Sequence, residues 1–136
     1  MKKRIKRIVL AVIFLAILSA VVVALLNPLR KSEEQIRADL LKLTPIGTDM
    51  QELKNPIKRT GKIDWVREDW GIVIGPRGPS GGYPLDDEEL IGEKSMRVYL
   101  GDYYVFFPFG IYVEAFYAFD ENGKLIEIAI RKGTNV

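Results

Sequence analysis

Apolar positions fall into three regimes along the chain. From Ile8 to Leu26 they are continuous (IVLAVIFLAILSAVVVALL), with no charge among nineteen residues. At 1.5 Å rise per residue this run makes about 28 Å of helix, close to the ~30 Å of a bilayer's hydrocarbon core. Between Ser32 and Asn55 apolar residues recur at helical spacing, and from Ile63 onward they alternate with period two. The pattern predicts an α+β fold: an N-terminal transmembrane helix, then a two-helix hairpin packed on one face of an antiparallel β-sheet. Its divisions are an anchor over 1–27, a linker over 28–32 and one domain over 33–136.

Punctuation sharpens the helices. Ser32-Glu-Glu-Gln35 reads as a capping box, and the helix behind it brings Ile36, Leu40, Leu41 and Leu43 near one face. It stops before Pro45, whose ring disfavours helical geometry at Thr44. Thr48-Asp-Met-Gln51 reads as a second box, opening a shorter helix with Met50 and Leu53 inward and a stop near Pro56. In the sheet region, Ile63–Val66, Gly71–Gly75, Ser95–Leu100 and Tyr103–Phe107 are expected strands. Gly75–Gly82 is a loop by composition, and Leu85–Ile91 is expected as a helical turn.

The closing hairpin is the clearest expectation. Ile111, Val113, Ala115, Tyr117 and Phe119 share one face, as do Ile126, Ile128 and Ile130 on the next strand. A four-residue loop, Asp120–Gly123, pairs Phe119 with Lys124, so 113 faces 130, 115 faces 128 and 117 faces 126. Gly123 supplies the positive φ that such a loop needs. Helices on the isoleucine side leave Tyr112, Glu114, Phe116 and Ala118, with Leu125, Glu127, Ala129 and Arg131, on an open face. Tyr112 and Arg131 are expected opposite each other.

Charge orients the chain. Five of its twenty basic residues (Lys2, Lys3, Arg4, Lys6, Arg7) precede the apolar run, whereas Arg30 and Lys31 behind it are soon offset by Glu33 and Glu34. The positive-inside rule then places the N-terminus in the cytoplasm and the domain outside. A cleaved signal peptide is the rival reading, with Val22-Val23-Ala24 a passable cleavage site, but signal h-regions usually run only about 7–15 residues. Behind the run, fifteen basic side chains face eighteen acidic ones, which argues against a nucleic-acid partner.

The chain has no histidine and no cysteine. That removes imidazole acid–base work, Ser-His and Cys-His nucleophiles, thiol redox chemistry, disulfides and nearly every zinc site. No small-molecule cofactor is expected. Asp86-Asp87-Glu88-Glu89 lacks the spacing of an EF-hand and reads as a solvated acidic turn. Asp64, Glu68, Asp69 and Glu114 are the carboxylates from which a glycosidase-like pair would have to come. Trp65 and Trp70 read as packing residues beside them. Nine of fourteen aromatics fall between Tyr103 and Phe119.

Leu40-Leu41-x-x-Thr44-Pro45-Ile46-Gly47-Thr48-x-Met50 resembles the helix–turn–helix entry of the SmpA/OmlA (BamE-like) and β-lactamase-inhibitor-protein-like domains. Phe119-Asp-Glu-Asn-Gly-Lys-Leu125 resembles their closing hairpin. The resemblance spans about residues 33–132 and implies a small exported scaffold that binds other proteins, without implying a particular task. Unlike the lipoproteins of that group, this chain has no lipidation cysteine. The expected function is a membrane-anchored, non-enzymatic extracytoplasmic interaction domain, held by residues 8–26 and binding an envelope protein or peptide. Tyr112, Glu114, Phe116, Glu127 and Arg131 are the expected partner-binding residues. A carboxylate-dependent enzyme acting on envelope polymers and a structural accessory subunit are the alternatives.

Overall fold

A computed structural model describes residues 1–56 and 59–135. Helix α1, Lys2–Leu25, is long and apolar enough to cross a membrane, and none of its residues is buried. A 3₁₀ turn, Pro28–Arg30, follows, then α2 (Glu33–Leu43) and the short α3 (Met50–Lys54). Ser32 and Gln35 form the capping box reciprocally. The second box is replaced: the α3 cap is Asp49, whose carboxylate accepts from the Gln51 N–H, while the Thr48 hydroxyl donates to the Pro45 carbonyl.

Six strands follow: β1 (Lys62–Arg67), β2 (Ile72–Ile74), β3 (Glu89–Ile91), β4 (Lys94–Phe106), β5 (Phe109–Phe119) and β6 (Leu125–Asn135). They make an antiparallel sheet in the order β1-β4-β5-β6 and a separate β2-β3 pair. The two expected strands around Gly101 are one, because the ladder absorbs the break as an irregularity between Tyr99 and Gly101. Gly101 takes φ +138° there, beside Leu29, where any Cβ would crowd the leucine side chain. The expected helical turn at Leu85–Ile91 is instead a tight turn at Leu85–Glu88 leading into β3, since β2 pairs Ile72 with Ile91.

Ile36 and Leu40 from α2 and Met50 and Leu53 from α3 pack with Met96, Val98, Val113, Ala115, Tyr117, Ile128 and Ile130 in the main core. Leu43, expected on the inner face of α2, is 68% exposed. The opposite face of the sheet is also covered. Ile72 packs on Phe116 and Ala118, with Trp65, Ile74, Ile91 and Ala129 around them. The domain therefore has three layers: helices, main sheet and the small β2-β3 pair.

The closing hairpin has its expected strands and Gly123 at φ +75°, but its register differs by two residues. Val113 faces Lys132, Ala115 faces Ile130, Tyr117 faces Ile128, and Phe119 faces Leu125 rather than Lys124. One residue of the shift lies in the turn, where the Asp120 N–H donates to the Lys124 carbonyl, and the other is a bulge at Leu125–Ile126. The Leu125 N–H donates to the Thr48 carbonyl, and the Leu125 carbonyl accepts from the Gly47 N–H. The α2–α3 turn thus draws Leu125 inward to full burial, and Ile126, expected inside, is 39% exposed.

Candidate functional site

The five residues expected to bind a partner lie along the β5-β6 ladder, but not on an open face. Phe116 is fully buried under β2, edge-on to Trp65 at 6.1 Å between ring centroids. Glu114 is 7% exposed and is held by Arg131, with Nη2–Oε2 at 2.7 Å, and more loosely by Arg97 at 3.8 Å. The partner of Arg131 across the ladder is thus Glu114, not Tyr112, and its guanidinium lies 5.1 Å from the Phe116 ring centre. Tyr112 faces Gly133, which leaves the room its ring occupies. Glu127 accepts from Arg37 of α2 at 2.6 Å. The expectation of an open face fails because β2 and β3 supply a second layer.

Of the acidic groups weighed for catalysis, Asp64 and Glu114 share the Arg97 guanidinium. Asp64 pairs with Arg97 at 3.1 Å and Glu68 with Lys54 at 3.4 Å. Arg77 bridges Asp87 and Glu88 of the acidic run, which holds the Asp87 carboxyl below its ordinary range. Among the described residues no group of three acids is placed to hold a metal. Trp65 lies between the Arg67 and Arg97 guanidinium groups, and Trp70 packs edge-on to Tyr83. Trp65 is half-buried against Phe116, and Trp70 is half-buried beside the exposed Tyr83.

Two other features stand out. The first is the β4–β5 hairpin, which turns through Phe107-Pro108 and pairs Phe106 with Phe109. Neither the helices nor the β2-β3 layer reaches its end. Tyr104, Val105, Phe106, Phe107 and Phe109 are each at least half exposed, Phe107 at 84%. Sequence alternation missed this patch because it sorts residues between two faces, and beyond both covering layers each face meets solvent.

The root of that hairpin is tied to the chain leaving α1. Arg30 donates to the Tyr104 carbonyl at 2.5 Å and lies 5.0 Å from the Tyr103 ring centre. Lys132 donates to the carbonyls of Leu29 (2.9 Å) and Lys31 (2.6 Å) and to the Tyr103 hydroxyl. Lys31 pairs with Asp39, and that hydrogen bond holds the Asp39 carboxyl below its ordinary range.

The second feature is the outer edge of β6, the last strand of the main sheet. Arg37 donates to the Ile128 carbonyl at 2.8 Å, which fixes the direction of the alternating backbone groups. In an antiparallel ladder a residue's N–H and C=O point the same way, so those of Ile130, Lys132 and Thr134 also point outward. Among the described residues they have no hydrogen-bond partner. Beside the start of this edge lies a shallow groove of about 290 Å³ between α2 and β6, lined by Glu34, Arg37, Ile74, Glu127 and Ala129 among others. Comparison of the chain with protein-family models, with curated proteins and with solved structures finds no match.

Proposed function

We propose that this chain is a membrane-anchored, non-enzymatic domain that lies outside the cytoplasm and binds an envelope protein or peptide along the β6 edge. The observation that carries the reading is the outward row of backbone donors and acceptors at Ile130, Lys132 and Thr134. An extended peptide adds to such an edge by main-chain hydrogen bonds, and side-chain pockets on either side give it specificity. Soluble proteins commonly guard edge strands with free charges. Here the charges of β6 are occupied elsewhere, Glu127 with Arg37, Arg131 with Glu114 and Lys132 with the Leu29 and Lys31 carbonyls. The non-enzymatic part is supported by the pairing of each of Asp64, Glu68 and Glu114 with a cation, Arg97 being shared between Asp64 and Glu114.

Residues 8–26 serve as a retained anchor in this reading, by length and by the basic residues before them. Arg30 and Lys31 behind the span are held by the Tyr104 carbonyl and Asp39.

The test places a photocrosslinking amino acid at Asn135 of the full chain in native membranes, with a second chain carrying it at Asn122 in the far turn. A discrete adduct is expected at 135 and not at 122. It should disappear when Thr134→Pro removes one outward N–H without touching a ladder bond, while the melting midpoint stays unchanged. An adduct that survives the proline, or that forms equally at 122, refutes the edge as the binding surface. An adduct of twice the chain mass identifies the partner as a second copy of this chain.

A further inference from the structure

We propose that the tip of the β4–β5 hairpin dips into the membrane interface beside the anchor, so that the domain meets the bilayer at two points. The inference rests on α1 being a retained span, and concerns a different surface from the β6 edge.

The first support is composition and exposure. Residues Tyr103 to Val113 contain no charged side chain, and the five large residues around the turn lie open to solvent, Phe106 against Phe109 and Tyr104 near Phe107. A patch of this kind needs an apolar partner. Aromatic side chains are characteristic of the headgroup level, where one end of the ring system is dry and the other wet.

The second support is position. Only Leu26, Asn27 and Pro28 lie between the end of α1 and Leu29, so Leu29 stands within about 14 Å of the helix end. Leu29 and Arg30 are fixed to the hairpin root by the Lys132 and Arg30 hydrogen bonds. If α1 spans the bilayer, the root of the hairpin is held at the membrane surface by this short covalent reach together with those hydrogen bonds. From Tyr104 to Phe107 the strand extends a further ~10 Å, comparable to the ~5–10 Å to which interfacial segments bury their apolar faces.

The third support is polarity along the sheet. Arg30, Lys31 and Lys132 gather at the hairpin root with Asp39 and Asp102 beside them, whereas the opposite end carries Asp120 and Glu121 in the β5–β6 turn and the Asp49–Lys124 pair. The eleven residues of β5 separate the two ends by about 35 Å. Anionic headgroups favour the basic, aromatic end.

The absence of cysteine makes the test clean. Single cysteines replace Phe107, Phe109, Asn122 and Val12 in the full chain, each labelled with an environment-sensitive nitrobenzoxadiazole dye. The proteins are reconstituted into vesicles of equal parts phosphatidylcholine and phosphatidylglycerol, with spin-labelled lipids as depth-dependent quenchers. The Phe107→Cys and Phe109→Cys labels are expected to be blue-shifted and quenched several-fold more by shallow spin labels than the Asn122→Cys label. Equal aqueous accessibility at 107, 109 and 122, with the Val12→Cys label quenched by deep lipids, overturns the hairpin inference and leaves the anchor standing. An aqueous Val12→Cys label overturns the anchor itself. A photocrosslinker at Phe107 that yields a protein adduct in native membranes, with no lipid adduct, assigns the patch to a protein and also overturns the inference.

Discussion

Truncating Phe116 to alanine separates a covered outer face from an open one. The ring is fully buried between Trp65, Ile72 and the Arg131 guanidinium, so its removal leaves a void that β2 closes only by moving. A phenylalanine that buries ~150 Å² or more contributes about 4 kcal/mol at ~25 cal/mol per Å². This agrees with the ~3–5 kcal/mol lost when buried phenylalanines become alanine. Against a domain stability of ~5–15 kcal/mol, the loss is a large share. The assay is urea unfolding of the full chain in detergent micelles, followed by tryptophan fluorescence, with Trp65 reporting directly on the site. Phe116→Leu should cost less than about 2 kcal/mol because it keeps most of the volume. Phe107→Ala, at the exposed hairpin tip, should stay within ~0.5 kcal/mol. A Phe116→Ala midpoint equal to that of Phe107→Ala would show that β2 does not pack on the sheet and that the outer face is open.

Three further expectations follow from the same contacts. Leu125→Ala should cost ~2–5 kcal/mol and Ile126→Ala under about 1 kcal/mol, because the bulge turns Leu125 into the core and Ile126 outward; the reverse order in denaturation would restore the unbulged register. Gly123→Val should destabilise by more than ~1 kcal/mol through left-handed backbone strain. The space there is ample, since the nearest atom to an added Cβ is 3.8 Å away, so an unchanged midpoint would mean a different turn. Burial pushes the Tyr117 hydroxyl up to about 12. Because the folded value exceeds the unfolded one, this stabilisation is complete below pH ~10 and is lost as pH rises towards 12. Tyr117→Phe should flatten the alkaline limb of the stability curve over that window, and an unchanged limb would place the hydroxyl in water.

Local rules made much of this fold legible. The long apolar helix α1 follows from an uncharged run of sufficient length, the α2 cap from Ser32 and Gln35, and the closing hairpin from alternation and Gly123. What alternation cannot supply is the third dimension. It sorted Phe116 and Glu114 onto one face but carried no sign that a second layer lies there, because β2 and β3 are three residues each and far apart in sequence. Half of the register slip has a similar reason: the bulge at Leu125 is held by hydrogen bonds to Gly47 and Thr48, about eighty residues earlier, while the other residue lies in the turn itself. The expected site suffered most, since an exposed strand face and a covered one look alike in sequence. Glu127 and Arg131 remain beside the proposed edge, whereas Phe116 belongs to the core. The exposed hairpin tip was visible only as an excess of aromatics.

The role proposed for this chain depends on the domain lying across the membrane from its basic N-terminus. In a chain without cysteine, Lys3→Cys and Asn122→Cys variants can be challenged with a membrane-impermeant maleimide in sealed right-side-out membrane vesicles. The account predicts that Asn122→Cys reacts at once, that Lys3→Cys reacts only after permeabilisation, and that both proteins retain the mass of the uncleaved chain. Immediate reaction of Lys3→Cys with a protected Asn122→Cys would invert the topology, and a mature chain beginning near Leu25 would show the span to be a cleaved signal.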